Sequence, residues 1–165
     1  MVGQRVIRAI QGAQPTVTFI IANQNSPVPQ HVFCDVYTVG DSFSSTPELS
    51  NDETQETISK IIQHRVSLTY HGLVTDNVSD AAMHMAAYLD SFQARIKFKE
   101  QKLSIIRIND IQHSPLLKDA DMYVTCVLDI VVAEERRDSF NIDVIDNVHI
   151  DGDLETFEYE HEVRI

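Results

Sequence analysis

The stretch MYVTCVLDIVVAEERR, residues 122–137, can bury an apolar face only as a β-strand. Val124, Cys126, Leu128, Ile130 and Val132 recur at every second position, the period at which strand side chains return to one face. A helix would scatter the same residues around its circumference. The apolar set ends at Glu134, where glutamates and arginines take over. A second run, residues 57–70, alternates as regularly: Ile58, Ile62, Val66, Leu68 and Tyr70 share one face, and Ser59, Gln63, Arg65, Ser67 and Thr69 the other. One side of this strand is wet. Lys60 and His64 interrupt its apolar side, so one end is expected to project beyond the core.

Two such strands need further strands beside them and a cover for the apolar face. Near the N-terminus, Val2, Val6, Ile7 and Ile10 fall at helical spacing until Gly12 and Pro15 end the helix. VTFIIA (17–22) reads as a short buried strand, and residues 31–39 as another, with Cys34 sharing a face with Val32 and Val36. From Asn77 or Ser79 as N-cap, Ala81, Met85, Tyr88, Leu89, Phe92 and Ile96 form an apolar stripe that predicts one long helix. LSIIRINDIQH (103–113) predicts another β segment, bulged near Ile105–Ile106, followed by the connection SPLLKDAD. Short strands are expected in the tail after residue 141. The fold class expected is α+β: an antiparallel or mixed sheet with a short N-terminal helix and one long central helix packed on one face. One domain is expected over residues 1–153, carrying a polar exposed arm at about 40–56, with an acidic tail over 154–165.

Charge narrows the function. Twenty-five acidic against 13 basic residues give a net charge of −12, which disfavours a protein that gains affinity by neutralising phosphates. No apolar run is long enough for a membrane span, and the N-terminus lacks the apolar core of a signal peptide, so a soluble protein made in the cytoplasm is expected. Two cysteines do not make a disulfide framework.

Chemistry finds little support. His31, Cys34 and Asp35 stand close in sequence, but residues three apart on a strand face opposite ways, so His31 cannot serve Cys34 as base. Cys34 and Cys126 both share parity with apolar neighbours and read as small buried hydrophobes. The seven histidines include no HExxH and no zinc spacing, and EYEHEVRI reads as a solvated tail. No P-loop, dinucleotide fingerprint or complete calcium loop is present. No catalytic residue, metal site or cofactor is expected. On the residues alone, a small cysteine- or metal-dependent hydrolase and a non-catalytic regulatory binding module remain the alternatives to a structural protein.

The order of segments is more informative. The short N-terminal helix, the apolar strand and IIANQNSPVPQHVFCDVYTV, followed by QHRVSLTYHG, AAMHMAAYLDSF, the R-x-N-D-I segment and VTCVLDIVVAEE, resemble the neck-terminator or tail-terminator-like family of tailed bacteriophages. The resemblance implies a virion structural protein, not an enzyme, assembled in the host cytoplasm. It implies a ring, commonly of six subunits, that ends the tail tube, joins tail to head through neck or portal-adaptor proteins, and leaves a channel for double-stranded DNA. On that reading Asn23, Asn25 and Pro27 of the asparagine-rich turn, Phe43 of the arm, and Phe157, Tyr159 and Ile165 of the tail are the expected subunit contacts. Asp143, Asp146 and Asp151 are the expected channel-lining carboxylates.

Overall fold

A computed structural model describes residues 1–23, 29, 31–43, 46–51, 55–73, 75–118 and 121–141. Its centre is a pair of long antiparallel strands, β4 (Gln55–Leu73) and β7 (Asp121–Asn141). They are in register from Gln55 opposite Asn141 to Leu73 opposite Tyr123. Nineteen paired residues make a ribbon about 60 Å long. β2 (Phe33–Phe43) lies antiparallel along the outer edge of β4, with a bulge between Thr38 and Gly40. The short β1 (Thr18–Ile21) adds parallel to β2. β3 (Glu48–Asn51) continues on the same edge of β4 where β2 stops. The other edge of β7 is lined by β5 (Ser104–Ile108) and β6 (Gln112–Lys118). The sheet is therefore mixed, as expected, with β1–β2 its parallel pair.

Helices cover one face of this sheet. α1 (Val2–Ile10) packs against β1 and β2, and α2 (Val78–Asp90) against β4 and β7. α3 (Phe92–Glu100) packs between α1 and β5. Beneath them lie Cys34 and Val36 of β2, Val66, Leu68 and Tyr70 of β4, and Cys126, Leu128, Ile130 and Val132 of β7, all buried. These are the alternating residues that define the two long strands, so period-2 patterning places the core. Val6, Ile10, Met85, Leu89 and Phe98 meet them from the helices.

One long central helix is not what forms. The chain breaks at Ser91, whose ψ of 155° is extended, into α2 and α3, so that with α1 the described residues hold three short α-helices. Ser91 caps α3: its Oγ accepts from the Ala94 N–H at 3.2 Å. The break shifts the phase of the stripe. Phe92 is 77% exposed and Ile96 is also exposed, while Ala94 and Phe98 take the buried positions. Ser91→Ala is expected to cost about 1 kcal/mol in a denaturant titration, and an unchanged midpoint would mean the cap does not hold the break.

Of two further expectations, one holds and one shifts. The bulge in β5 lies between Ile105 and Arg107, as the parity change predicted. SPLLK, expected as a connection, instead continues as strand β6, in which Pro115 stands opposite Val124. β6 pairs with β7 alone among the described residues, and such an edge position tolerates a proline that lacks its N–H.

Candidate functional site

Beyond the helices, the ribbon runs on as a three-stranded arm made of β3, the first half of β4 and the last part of β7. The end of β2 joins it at Phe43, opposite Ile62. Because side chains alternate, the two faces of the arm differ. One is polar: the Ser59 hydroxyl donates to Glu135 Oε1 at 2.8 Å, Arg137 donates to the same oxygen at 2.6 Å, and Thr57 and Ser139 meet at 3.0 Å. These hydrogen bonds hold the Glu135 carboxyl below its ordinary range. The other face, continuous with the core side, carries Phe43, Leu49, Ile58 and Phe140. Phe43, Leu49 and Phe140 are 73%, 64% and 52% exposed. Lys60 stands over the Phe43 ring at 5.5 Å, a cation–π contact. No helix covers this part of the sheet among the described residues.

Where arm meets core, a polar network closes the apolar interior. His64 is buried, with Nδ1 2.6 Å from Asp41 Oδ1 and Nε2 2.9 Å from Glu134 Oε1. The ring thus bridges two carboxylates, one at each nitrogen. Arg5 of α1 bonds the second Glu134 oxygen and also donates to the carbonyls of Gln101 and Lys102, at 2.7–2.9 Å. Burial pushes the Glu134 carboxyl up, but hydrogen bonds and charge from Arg5 and His64 outweigh it and hold the group below its ordinary value. The network ties the first helix, the turn after α3 and the root of the arm to one point.

A second polar chain crosses the core. Tyr70 donates to Gln14 Oε1 at 2.9 Å, and Gln14 Nε2 donates to the Ala81 carbonyl at 2.6 Å. Burial raises the Tyr70 phenol pKa, and the neighbouring Cys34 adds to the shift. Cys34 itself is fully buried, and burial, then the charge of Asp35, pushes its thiol well up. His31 is exposed and does not meet it. Cys126 is also fully buried and, although its Sγ lies 3.2 Å from His113 Nδ1, burial raises its pKa as well. A thiolate nucleophile is disfavoured at both positions. Neither thiol is expected to react with a thiol reagent until the chain unfolds; stoichiometric labelling of the native protein would contradict this burial. No group of three or more metal-ligating side chains occurs among the described residues.

Residues 4–156 match the profile of phage neck terminator proteins. The chain belongs to this family. It is thus a phage neck protein of structural type, which places it in the virion. No curated protein matches the sequence. One solved structure, whose name states no function, is 17% identical across 79% of this chain and 89% of its own, with a TM-score of 0.39. No helix among the described residues is long and apolar enough to cross a membrane.

In this neck terminator the expected contact residues fall into two groups. Phe43 lies on the exposed apolar face of the arm. Asn23 is exposed and has φ of 64°, a left-handed turn that asparagine tolerates better than most residues. Asn25, Pro27, Phe157, Tyr159 and Ile165, and the acidic Asp143, Asp146 and Asp151, lie outside the described residues, as do the strands expected after residue 141. The patterning reading did not single out Leu49 and Phe140, because a lone apolar residue in a polar stretch carries little signal. Only their register beside Ile58 and Glu56 puts them on one face with Phe43.

Proposed function

We propose that this neck terminator forms a closed ring, of six subunits, at the neck or tail end of the virion. The ring ends the tail tube and joins tail to head through neck or portal-adaptor proteins, without catalysis. The observation that carries this reading is the uncovered apolar face of the arm. Three large side chains left in water on a projecting ribbon favour burial against another chain. The arm over residues 40–56 and the tail over 154–165 are then the segments that engage neighbours, with Asn23, Asn25 and Pro27 at the edge of the contact.

The ring encloses a passage for double-stranded DNA that moves through without specific binding. A net charge of −12 supports this, since a wall rich in carboxylates repels phosphates. Asp143, Asp146 and Asp151 line that wall. Negative-stain electron microscopy of the purified chain tests the architecture: closed rings with a central opening are expected, whereas open filaments or dispersed monomers would contradict it.

A further inference from the structure

The arm has an edge with room for one more strand. β5 pairs with β7 only as far as Ser104 opposite Ala133, and from Glu134 to Asn141 nothing among the described residues pairs with that edge of β7. A bare edge of this length matches the reach of an ordinary strand and is a template for strand addition. At its start, where a strand collinear with β5 would lie, there is a groove of about 480 Å³. The groove spans the sheet edge, with Ile61, Ile106, Leu103 and Ala133 supplying apolar surface, and Lys99, Lys102, Glu134 and Glu135 among its lining residues. Both glutamates are already paired, Glu134 with Arg5 and His64 and Glu135 with Arg137. Ile61 and Ile106 are both exposed.

The helix and turn on one side of the groove are basic in an acidic protein. Residues 92–107 hold five cations (Arg95, Lys97, Lys99, Lys102, Arg107) against Glu100 alone, a net of +4. Lys97 pairs with Glu100, while Arg95, Lys99, Lys102 and Arg107 form no ion pair among the described residues. The opposite charge lies beyond β7. Residues 142–165 carry eight carboxylates and one arginine, a net of −7. Within them FEYEHEVRI, residues 157–165, alternates without a break: Phe157, Tyr159, His161, Val163 and Ile165 at odd positions, Glu158, Glu160, Glu162 and Arg164 at even ones. That is the pattern of a strand with one apolar and one mainly acidic face.

We propose that residues 157–165 of one subunit add as a β-strand to the β7 edge of a neighbouring subunit, along Glu134–Asn141, and enter the groove beside β5. At the groove the odd residues then lie on the side of Ile61 and Ile106 and the glutamates on the side of Lys99 and Lys102, while farther along the edge the odd residues run beside Glu135, Arg137 and Ser139. The fifteen residues 142–156 span up to about 50 Å when extended, enough to leave the subunit's own arm. Passing a tail from each copy to the next is a head-to-tail contact, which closes into a ring when its rotation closes. The proposal rests on the ring reading and specifies one contact within it.

The test uses the full chain with Tyr159 replaced by benzoylphenylalanine, prepared in light and heavy isotopes, mixed, and irradiated. Light–heavy adducts to residues 99–106 or 133–141 are expected. Lys99→Glu with Lys102→Glu should lower their yield about tenfold, and Glu160→Lys with Glu162→Lys in the same chain should restore it. Adducts only within one isotope place the tail on its own subunit and overturn the proposal. Adducts elsewhere, or none, overturn it as well. Light scattering on the same samples separates the two claims: a ring-sized mass without these adducts leaves the ring standing, and a monomer mass without them removes both.

Discussion

Phe98→Ala is expected to cost the fold about 3–5 kcal/mol, enough to consume much of the stability of a domain this size. Phe98 is fully buried and is the one large core side chain that α3 contributes. Its carbonyl also accepts from the Gln101 and Leu103 N–H groups, at 3.0 and 2.9 Å, and so shapes the turn into β5. Removing the ring leaves a cavity under a nine-residue helix that has little else to hold it down. The same turn presents the Gln101 and Lys102 carbonyls to Arg5, so the loss should spread to the root of the arm. A guanidinium titration with unchanged slope and a much lower midpoint is the expected result. A loss below about 1 kcal/mol would mean that α3 is not anchored through this ring.

Glu134→Gln is the second large effect, and its size should depend on pH. Near neutrality the substitution deprives Arg5 and His64 of their shared carboxylate, at an expected cost of about 1–3 kcal/mol. Burial alone would raise the Glu134 pKa, but the bonds from Arg5 and His64 bring it below its ordinary 4.5. A carboxyl whose folded value lies below its unfolded value stabilises the fold above the unfolded value, and that contribution is lost as the pH falls through the folded one. Wild type should therefore lose stability on acidification below 4.5, while the Gln variant lacks this part of the dependence. The two stability curves should converge in acid. Parallel curves from pH 7 down to acid would show that the network does not contribute through the ionised carboxylate.

Long strands are legible because each residue repeats the same statement about which face is dry. In residues 57–70 and 122–137 the alternation gave strand identity, core face and the limit of the core, and the paired register agrees with all three. The break at Ser91 was not legible. The stripe through Phe92 and Ile96 is as good as the true one through Ala94 and Phe98, and a serine serves equally as helix interior or cap until its backbone is seen. Pro115 misled for a related reason, since it stops a central strand but not an edge one.

The polar network left a clue that patterning could have joined. His64 and Glu134 each interrupt the apolar face of a long strand, and pairing those strands brings the interruptions side by side. Their third partner, Arg5, is 129 residues from Glu134, and no local pattern links them. Gln14 gave no signal at all: it follows a helix as an ordinary polar residue, and only the fold aims it at Tyr70. The function was legible mainly through resemblance. The order of elements led to the neck terminator family, whereas the face that supports assembly emerged only when register put Phe43, Leu49 and Phe140 together.

The solution mass of the purified chain, measured by light scattering after size exclusion over a wide concentration range, tests the ring most directly. Six chains of 18.7 kDa make a species of about 112 kDa, and that mass, stable on dilution, is the predicted result. A single species of 18.7 kDa at every concentration would contradict self-assembly through the arm.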